Sequence, residues 1–460
     1  MTVDPTRTLP PDSPAAMALE RGRSLRVAVP RRSHGGWVPA PDRPDPVATL
    51  MQSNEGRLPE LVPIRIGRML ASPFAFLRGS AAVMAADLAT TPQTGVFVQA
   101  CGDAHLANFG VFASPERRLV FDLNDFDETY RGPWEWDVKR LAASFVVASR
   151  ENGYPESTCR DMARTVAWEY RRWIRTYAAM RALQVWYAVI PIESILERVE
   201  RARDRVDLDI SIDEARRRDH LRAVGKLSVK TPGGGWLIRD RPPLLLRLPD
   251  DDPGRSAIPI LYAAYLRSLA PDRRLLVSKH RFLDVALKVV GVGSVGTRCY
   301  VALFKGPAGG PLVLQVKEAG HSVLSPYVRG RHHRHQGERV VTGQRIMQAV
   351  SDSFLGWTRS PTSGTEYYVR QLHDMKYGID IGGLRRPGMQ LYAEVCAWAL
   401  ARAHARSGNP AVIGGYLGRS DVFDEAIASF AVAYADQTEK DFAALAAAVR
   451  DGRLPSETGV

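Results

Sequence analysis

The sequence predicts an α+β fold of two lobes, one large and helical, the other small and β-rich. Two observations support this prediction. Helical patterns dominate residues 134–182 and 388–450, whereas residues 276–320 are rich in β-forming residues and contain glycine turns. The chain has 460 residues, of which 45% are hydrophobic, which is enough for a sizeable core.

Five segments are expected along the chain. They are a disordered basic tail (1–50), the first part of the helical lobe (51–185), a helical and β insertion (186–270), the β-rich lobe (271–375) and the remainder of the helical lobe (376–460). The tail is expected to be disordered because it is rich in Pro, Arg, Ser and Asp and shows no periodicity.

Composition and charge narrow the class of partner. The net charge of +12 favours anionic partners such as nucleotides, phosphorylated compounds or nucleic acid. Nucleic acid ranks below the others, because many arginines lie in the tail and in helical runs where they can form a solvated face. No stretch approaches the roughly 20 apolar residues of a membrane span, and the start has no apolar segment typical of a secretory signal. The four scattered cysteines form no CxxC pair. We therefore expect a cytoplasmic protein without a membrane partner.

The segment CGDAHLANFG (101–110) follows a predicted strand at 94–100 and places Asp103 five residues before Asn108. Phosphoryl transfer requires an aspartate that orients or deprotonates the acceptor hydroxyl, and an amide oxygen that holds Mg²⁺; kinases carry both on one short loop. Asp103 is therefore the candidate catalytic residue, and Asn108 a candidate metal ligand.

The segment LVFDLNDFDE (119–128) is an apolar strand that ends in acidic residues. Such a strand can deliver a carboxylate to the same metal. Asp125 is the first candidate because Phe126 follows it, as in the kinase metal motif. Asp122 is the alternate, and Asp127 also competes. The opposing interpretation is that these acids only occupy turns.

Residues 291–301 read GVGSVGTRCYV, so that a GxGxxG string is formed by Gly291, Gly293 and Gly296, with Ser294 inside it. Dinucleotide folds use the same string, but there the glycines open a helix. Here β-forming residues follow, which predicts a strand–loop–strand unit. Kinases cover the phosphates of ATP with such a unit.

The next predicted strand, PLVLQVKEA (311–319), carries Lys317. A lysine at this place would contact the α and β phosphates and would need a carboxylate from a nearby helix to hold it. Glu338, in the helical run that follows, is the candidate for that role. The strand at 367–372 would then lead to the hinge between the lobes, where backbone groups meet an adenine.

Taken together, these segments resemble a bacterial family catalogued as domain of unknown function 2252, grouped with the protein-kinase-like fold, over roughly residues 55–445. The resemblance rests on RMLASPFAFLRG (68–79), CGDAHLANFG, the 121–142 segment, VGSVGTRCYV, VKEA and the 339–357 segment. It implies a nucleotide site. The acidic motifs precede the glycine loop, the reverse of the kinase order, so the implied fold is a circularly permuted, bilobal kinase-like one. By similarity to aminoglycoside and choline kinase-like enzymes, Asp137 is expected to brace the catalytic loop, and Arg78 is a second possible brace.

The leading hypothesis is a phosphotransferase that uses ATP and Mg²⁺ on an unidentified acceptor, with a small molecule favoured over a protein. In it, Asp103 orients the acceptor, Asn108 and Asp125 hold the metal, and Lys317 binds phosphates. Two alternatives stay open. One is a nucleotide-binding pseudokinase or AMP-transferring regulator, and the other is a basic nucleic-acid-associated protein.

Overall fold

The computed structural model describes residues 13–198, 220–231, 235–330, 333–372 and 378–459. The first helices are α1 (Pro14–Ala28), α2 (Pro46–Gln52), α3 (Val62–Met69), α4 (Pro73–Gly79), α5 (Ala81–Ala89), α6 (Trp134–Glu151), α7 (Glu156–Ala178), α8 (Ala182–Trp186) and α9 (Ile192–Leu196). The later helices are α10 (His220–Leu227), α11 (Pro253–Ser256), α12 (Ile258–Ser268), α13 (Pro271–Val277), α14 (Gln336–Met347), α15 (Arg386–Ser407), α16 (Pro410–Leu417) and α17 (Val422–Arg450).

The strands divide between a six-stranded sheet and three two-stranded pairs. They are β1 (Phe97–Ala100), β2 (Phe109–Ala113), β3 (Leu119–Leu123), β4 (Tyr130–Pro133), β5 (Ser228–Lys230), β6 (Trp236–Ile238), β7 (Leu245–Arg247), β8 (Arg281–Lys288), β9 (Cys299–Lys305), β10 (Pro311–Glu318), β11 (Gly356–Arg359) and β12 (Glu366–Gln371). Mixed α and β structure with a small sheet and many helices matches the predicted α+β class.

The core of the helical lobe joins both ends of the chain. Helix α6 is buried on nearly every face, and Trp134 at its start stacks on Tyr170 of α7 with ring centroids 5.6 Å apart. Trp173 of α7 stacks on Trp398 of α15 at 4.2 Å. Aromatic pairs of this kind contribute on the order of 0.5–1.5 kcal/mol beyond the area they bury. The long helix α17 packs against α6 and α7, so residues after 376 complete the lobe that residues before 185 begin.

The small lobe is built on the six-stranded antiparallel sheet, in the order β11-β12-β10-β9-β8-β7. Strand β7 lies before residue 271, so the expected insertion supplies one strand of this sheet. One sheet face packs on Tyr265 of α12 and on Leu269, which follows this helix, while the other meets α10 through Val224. Helix α14 follows β10 and packs on β11 and β12.

The expected disorder of the N-terminal tail is wrong for residues 13–50, and residues 1–12 lie outside the described residues. Helix α1 is capped by Ser13 and lies so close to α16 that a Cβ added at Gly22 would come within 2.0 Å of the Val412 carbonyl oxygen. Arg26 and Arg31 bind the last carbonyls of α16, at 2.8 Å to Tyr416 O and 2.6 Å to Leu417 O. Two of the tail arginines, Arg26 and Arg31, are therefore partners of orphan carbonyls at a helix C-terminus.

Within the described ranges, no helix combines the length and apolarity needed to cross a membrane.

Candidate functional site

A cleft of about 680 Å³ brings together most of the residues that the sequence singled out. Asp103, Asn108 and Asp125 line it from the helical lobe. Gly291, Gly293, Ser294 and Lys317 line it from the small lobe. Two stretches about 190 residues apart in the sequence thus meet across one cavity.

The loop after β1 holds Asp103 at the edge of the cleft. Arg140 of α6 donates from Nε to Asp103 Oδ1 at 2.5 Å, and His105 Nε2 lies 3.8 Å from Asp103 Oδ2. Burial lowers the pKa of His105 to about 3, so this imidazole is neutral at pH 7. Asn108 donates its Nδ2 to the Asp103 backbone carbonyl at 2.7 Å. Its amide oxygen, the atom that a magnesium ion would take, is therefore at the opposite end of the group.

Asp137 braces this loop from the first turn of α6, as expected from the resemblance. Its carboxylate accepts backbone hydrogen bonds from Cys101 at 2.6 Å and Gly102 at 3.0 Å. His404 of α15 contacts the same carboxylate at 3.0 Å. Gly102 has φ +81°, and a Cβ there would lie 2.3 Å from the Glu128 carbonyl oxygen, so glycine is required.

Lys317 is buried and forms its ion pair with Asp127. The other oxygen of Asp127 accepts from the Tyr368 hydroxyl at 2.7 Å, and Asp125 Oδ1 accepts from the Asp127 amide at 3.2 Å. Although burial alone would lower the pKa of Lys317, the Asp125 and Asp127 carboxylates raise it well above its usual value. Lys317 is thus a cation held in place beside the carboxylates of Asp125 and Asp127.

The glycine loop lies against both lobes. Ser294 Oγ donates to Asp127 Oδ2 at 3.2 Å, linking the loop to the acidic segment. Arg57 donates to Val295 O at 2.6 Å and to Gly293 O at 2.9 Å. Gly296 has φ +88° but does not line the cleft, so its part is to shape the loop. The predicted strand after the loop is β9, as expected for a strand–loop–strand unit.

The assignment of Glu338 as the partner of Lys317 is wrong. Glu338 is exposed on α14, and Lys317 pairs with Asp127 instead. The buried neighbour, Arg339, donates to Asp127 O and Gly320 O, both at 2.8 Å. Successive helix positions differ by about 100°, so turning Arg339 inward turns Glu338 toward solvent.

The alternate metal ligand, Asp122, does not reach the cleft. It is 1% exposed and accepts from Arg402 Nη2 at 2.6 and 2.7 Å, and from the Ala349 amide at 3.0 Å. Asp122 lies on β3, whereas Asp125 lies beyond the strand end and lines the cavity. Asp122 is therefore a structural ion-pair residue.

The cleft also contains residues that sequence reasoning missed, namely Lys288, Gln315 and Arg370. Arg370 donates from Nε to Gln315 Oε1 at 2.8 Å. Strand alternation places Arg370 on the same face as Tyr368, and Gln315 on the same face as Lys317. From this alternation, the sequence could have predicted that Gln315 shares a face with Lys317. Arg78, considered as a brace, lines the cleft, and burial lowers its pKa while Asp103 and Asp125 oppose that shift.

Asn108 and Asp125 both line the cleft and carry the oxygen ligands by which a magnesium ion would be held, with phosphate and water as its other ligands. Within the described residues, no group of three or more His, Cys, Asp or Glu side chains could hold a metal alone. Mg²⁺ commonly takes only one or two protein oxygens together with substrate phosphates. Such a metal would draw the negative charge of a phosphate chain toward Asp103.

The comparisons with known proteins give one match. A family model described as "Uncharacterized protein conserved in bacteria (DUF2252)" matches residues 57–448. No curated protein and no solved structure matches the chain. The matched range includes every cleft residue discussed above and excludes α1 and α2.

Proposed function

We propose that this chain, which belongs to the DUF2252 family, is a phosphotransferase that binds ATP and Mg²⁺ in the cleft between its lobes. The observation that carries the proposal is that Lys317 and the glycine loop face Asp103, Asn108 and Asp125 across one cavity. Phosphoryl transfer needs little covalent chemistry from the protein, so an arrangement of charges that clamps a triphosphate is the expected catalytic apparatus.

The small lobe supports a kinase-like, circularly permuted arrangement. Three consecutive strands carry the glycine loop between β8 and β9 and the lysine on β10, and α14 follows. This is the order in which protein kinases place their glycine loop, lysine and first helix. The segments that carry Asp103 and Asp125 precede the small lobe in the chain, the reverse of the kinase order. A circular permutation allows this reversal when the termini fall at the surface. In this proposal Asp103 accepts the proton of an acceptor hydroxyl while Asn108 and Asp125 hold the metal.

The test compares Asp103→Asn and Lys317→Ala with the wild type. Nucleotide binding is measured by calorimetry with a non-hydrolysable ATP analogue, with and without Mg²⁺, and transfer by release of ADP in the presence of candidate hydroxylated acceptors. Asp103→Asn is expected to keep the nucleotide Kd within about threefold and to lower transfer at least 100-fold, since general-base contributions are about 10²–10⁴-fold. Lys317→Ala is expected to weaken binding at least tenfold.

Glu338→Gln is the matched control, because Glu338 is an exposed acid on α14. It should change neither binding nor transfer. Normal turnover in Asp103→Asn, or wild-type protein that binds no nucleotide at any Mg²⁺ concentration, would refute the proposal.

A second candidate function is a nucleotide-binding regulator that transfers nothing. The observation in its favour is that Lys317 pairs with Asp127 and not with a glutamate from α14, whereas active protein kinases require the lysine–glutamate pair. Mg²⁺-dependent nucleotide binding without ADP release or AMP incorporation into any acceptor would select this function.

A further inference from the structure

The cleft-facing surface of the small-lobe sheet carries more positive charge than the proposed triphosphate clamp uses. Across β9 and β10, Cys299 pairs with Lys317. On the other side, Leu287 of β8 pairs with Tyr300, so the next residue, Lys288, lies beside Cys299. Neighbouring strands are about 4.8 Å apart, so the backbones of Lys288 and Lys317 are roughly 10 Å apart and their long side chains project from one face.

A third cation lies in the adjoining row of the same face. Gln315, two residues before Lys317, pairs with Arg370 of β12. Arg370 donates to two neutral oxygens, Gln315 Oε1 at 2.8 Å and Asn124 O at 3.5 Å. The Cys299 thiol is in the field of all three cations, which oppose the rise in its pKa that burial causes.

The carboxylates of Asp125 and Asp127 act on Lys317 and Arg370, but no carboxylate of the described residues acts on Lys288. Lys317 pairs with Asp127, and Asp125 acts on both Lys317 and Arg370. Lys288 is half-buried and makes neither a hydrogen bond nor an ion pair with the part of the chain that the structure describes. Burial lowers the pKa of Lys288, as expected for a cation without a counter-charge. Engagement of Asp125 by Mg²⁺ would increase the positive excess.

The rest of this sheet face is already covered. Its apolar positions, among them Ala286, Val301 and Val313, pack against Val224 of α10 and Ile238 of β6. The insertion therefore covers these apolar positions, whereas Lys288, Gln315 and Arg370 line the cavity from the same face. An anion beside this face finds the Lys288 ammonium, which has no counter-charge among the described residues, and the Arg370 guanidinium, whose hydrogen-bond partners are neutral oxygens.

We infer that Lys288 and Arg370, which lie on either side of Lys317 on this sheet face, form a second phosphate subsite that widens the Lys317 clamp and takes a phosphate group of the bound ligands. This inference rests on the proposed function only in that the cleft binds phosphate compounds. The phosphate has two possible sources, the polyphosphate chain of the nucleotide or a phosphate already present on the acceptor.

The experiment measures calorimetric binding of ATP, AMP, pyrophosphate and orthophosphate to the full chain. It compares the wild type with Lys288→Gln, Arg370→Gln and the control Lys279→Gln, an exposed lysine of the same lobe. If the nucleotide supplies the phosphate, Lys288→Gln weakens ATP and pyrophosphate binding at least tenfold and leaves AMP within twofold. If the acceptor supplies it, ATP binding is unchanged, but orthophosphate binding to protein saturated with a non-hydrolysable ATP analogue is lost.

Two results would overturn the subsite. One is that Lys288→Gln and Arg370→Gln bind every probe as Lys279→Gln does. The other is that the wild type binds neither pyrophosphate nor orthophosphate. Pyrophosphate binding that depends on Lys288, without transfer to any acceptor, would refute the proposed function and support the subsite. Transfer that depends on Asp103, together with Lys288→Gln and Arg370→Gln variants that bind every probe as Lys279→Gln does, would support the proposed function and remove the subsite.

A measurement on the wild type covers the case in which the variants do not fold. Amine acylation followed by mass spectrometry reports the reactivity of each lysine. Pyrophosphate is expected to slow acylation of Lys288 at least fivefold and to leave Lys279 unaffected. Equal protection of both lysines, or of neither, would contradict the subsite.

Discussion

Removing the carboxylate of Asp122 is expected to destabilise the protein without touching the cleft. Asp122 and Arg402 are 1% and 0% exposed, and Arg402 Nη2 binds both carboxylate oxygens. The substitution Asp122→Asn leaves the guanidinium buried beside a neutral amide. Breaking a buried ion pair by removing one partner costs about 3–5 kcal/mol, because the remaining charge cannot be solvated. That corresponds to roughly two to four orders of magnitude in the folding equilibrium constant.

The assay is urea denaturation followed by tryptophan fluorescence, since Trp134, Trp173 and Trp398 lie in the helical lobe. Asp125→Asn is the matched control, because it removes a carboxylate three residues away that lines the cleft. The control is expected to lose less than about 1 kcal/mol of stability, typical of a partly exposed position, and to lose the Mg²⁺ dependence of nucleotide binding. Asp122→Asn should instead lose stability and keep the Mg²⁺ dependence of nucleotide binding.

The double variant Asp122→Leu with Arg402→Met tests the cause. If the loss comes from an unpaired buried charge, replacing both partners should recover most of the stability. A free energy of unfolding of Asp122→Asn within 1 kcal/mol of the wild type would refute the reasoning. So would loss of Mg²⁺ dependence in Asp122→Asn with Asp125→Asn unaffected, which would make Asp122 the metal ligand.

Two further predictions concern Glu128, which ends the acidic segment after β3, and Gly22 of the N-terminal helix α1. Burial raises the pKa of Glu128 to about 7. Because this pKa in the folded state exceeds the value in the unfolded chain, Glu128 contributes fully to the free energy of unfolding below about pH 4.5. That contribution is lost as the pH rises to about 7. Glu128→Gln should therefore reduce the fall in the free energy of unfolding between about pH 4.5 and 7, by about 1–3 kcal/mol for a half-buried group. Urea denaturation at a series of pH values measures this, and an unchanged dependence of the free energy of unfolding on pH would contradict the cause. Gly22→Val should separate α1 from α16, because no Cβ fits against Val412 O, costing about 1–3 kcal/mol and exposing α1 to limited proteolysis. Gly36→Val, at a position with open space, is its control, and equal cleavage rates in the two variants would count against the packing argument.

The parts of the site that could be predicted from sequence are those set by local signals. Asp103, Asn108, the glycines and Lys317 each lie at a strand end, a loop or an alternating strand position, where nearest neighbours determine direction. The structure brings them to one cleft. Their chemical roles stay predictions, because position alone does not show that phosphate or metal is bound.

The assignments that failed depended on distant partners. The first metal candidate, Asp125, lines the cleft, but the alternate, Asp122, is held in the core by Arg402, about 280 residues later. The partner of Lys317 is decided by which side of α14 packs inward, and the buried arginine at 339 determines that side. The order of the tail depends in part on Arg26 and Arg31, which bind carbonyls of α16, a contact that composition does not reveal.

The contact between Asp137 and His404 has a consequence for how the protein is made. The loop that carries Asp103 is held by the Asp137 carboxylate, whose own partner, His404, emerges from the ribosome 267 residues later. At about 5–20 residues per second, this interval lasts roughly 13–53 s. During translation the acidic half of the cleft is thus present without α15, so the nascent chain is expected to stay dependent on chaperones until its last helices are synthesised.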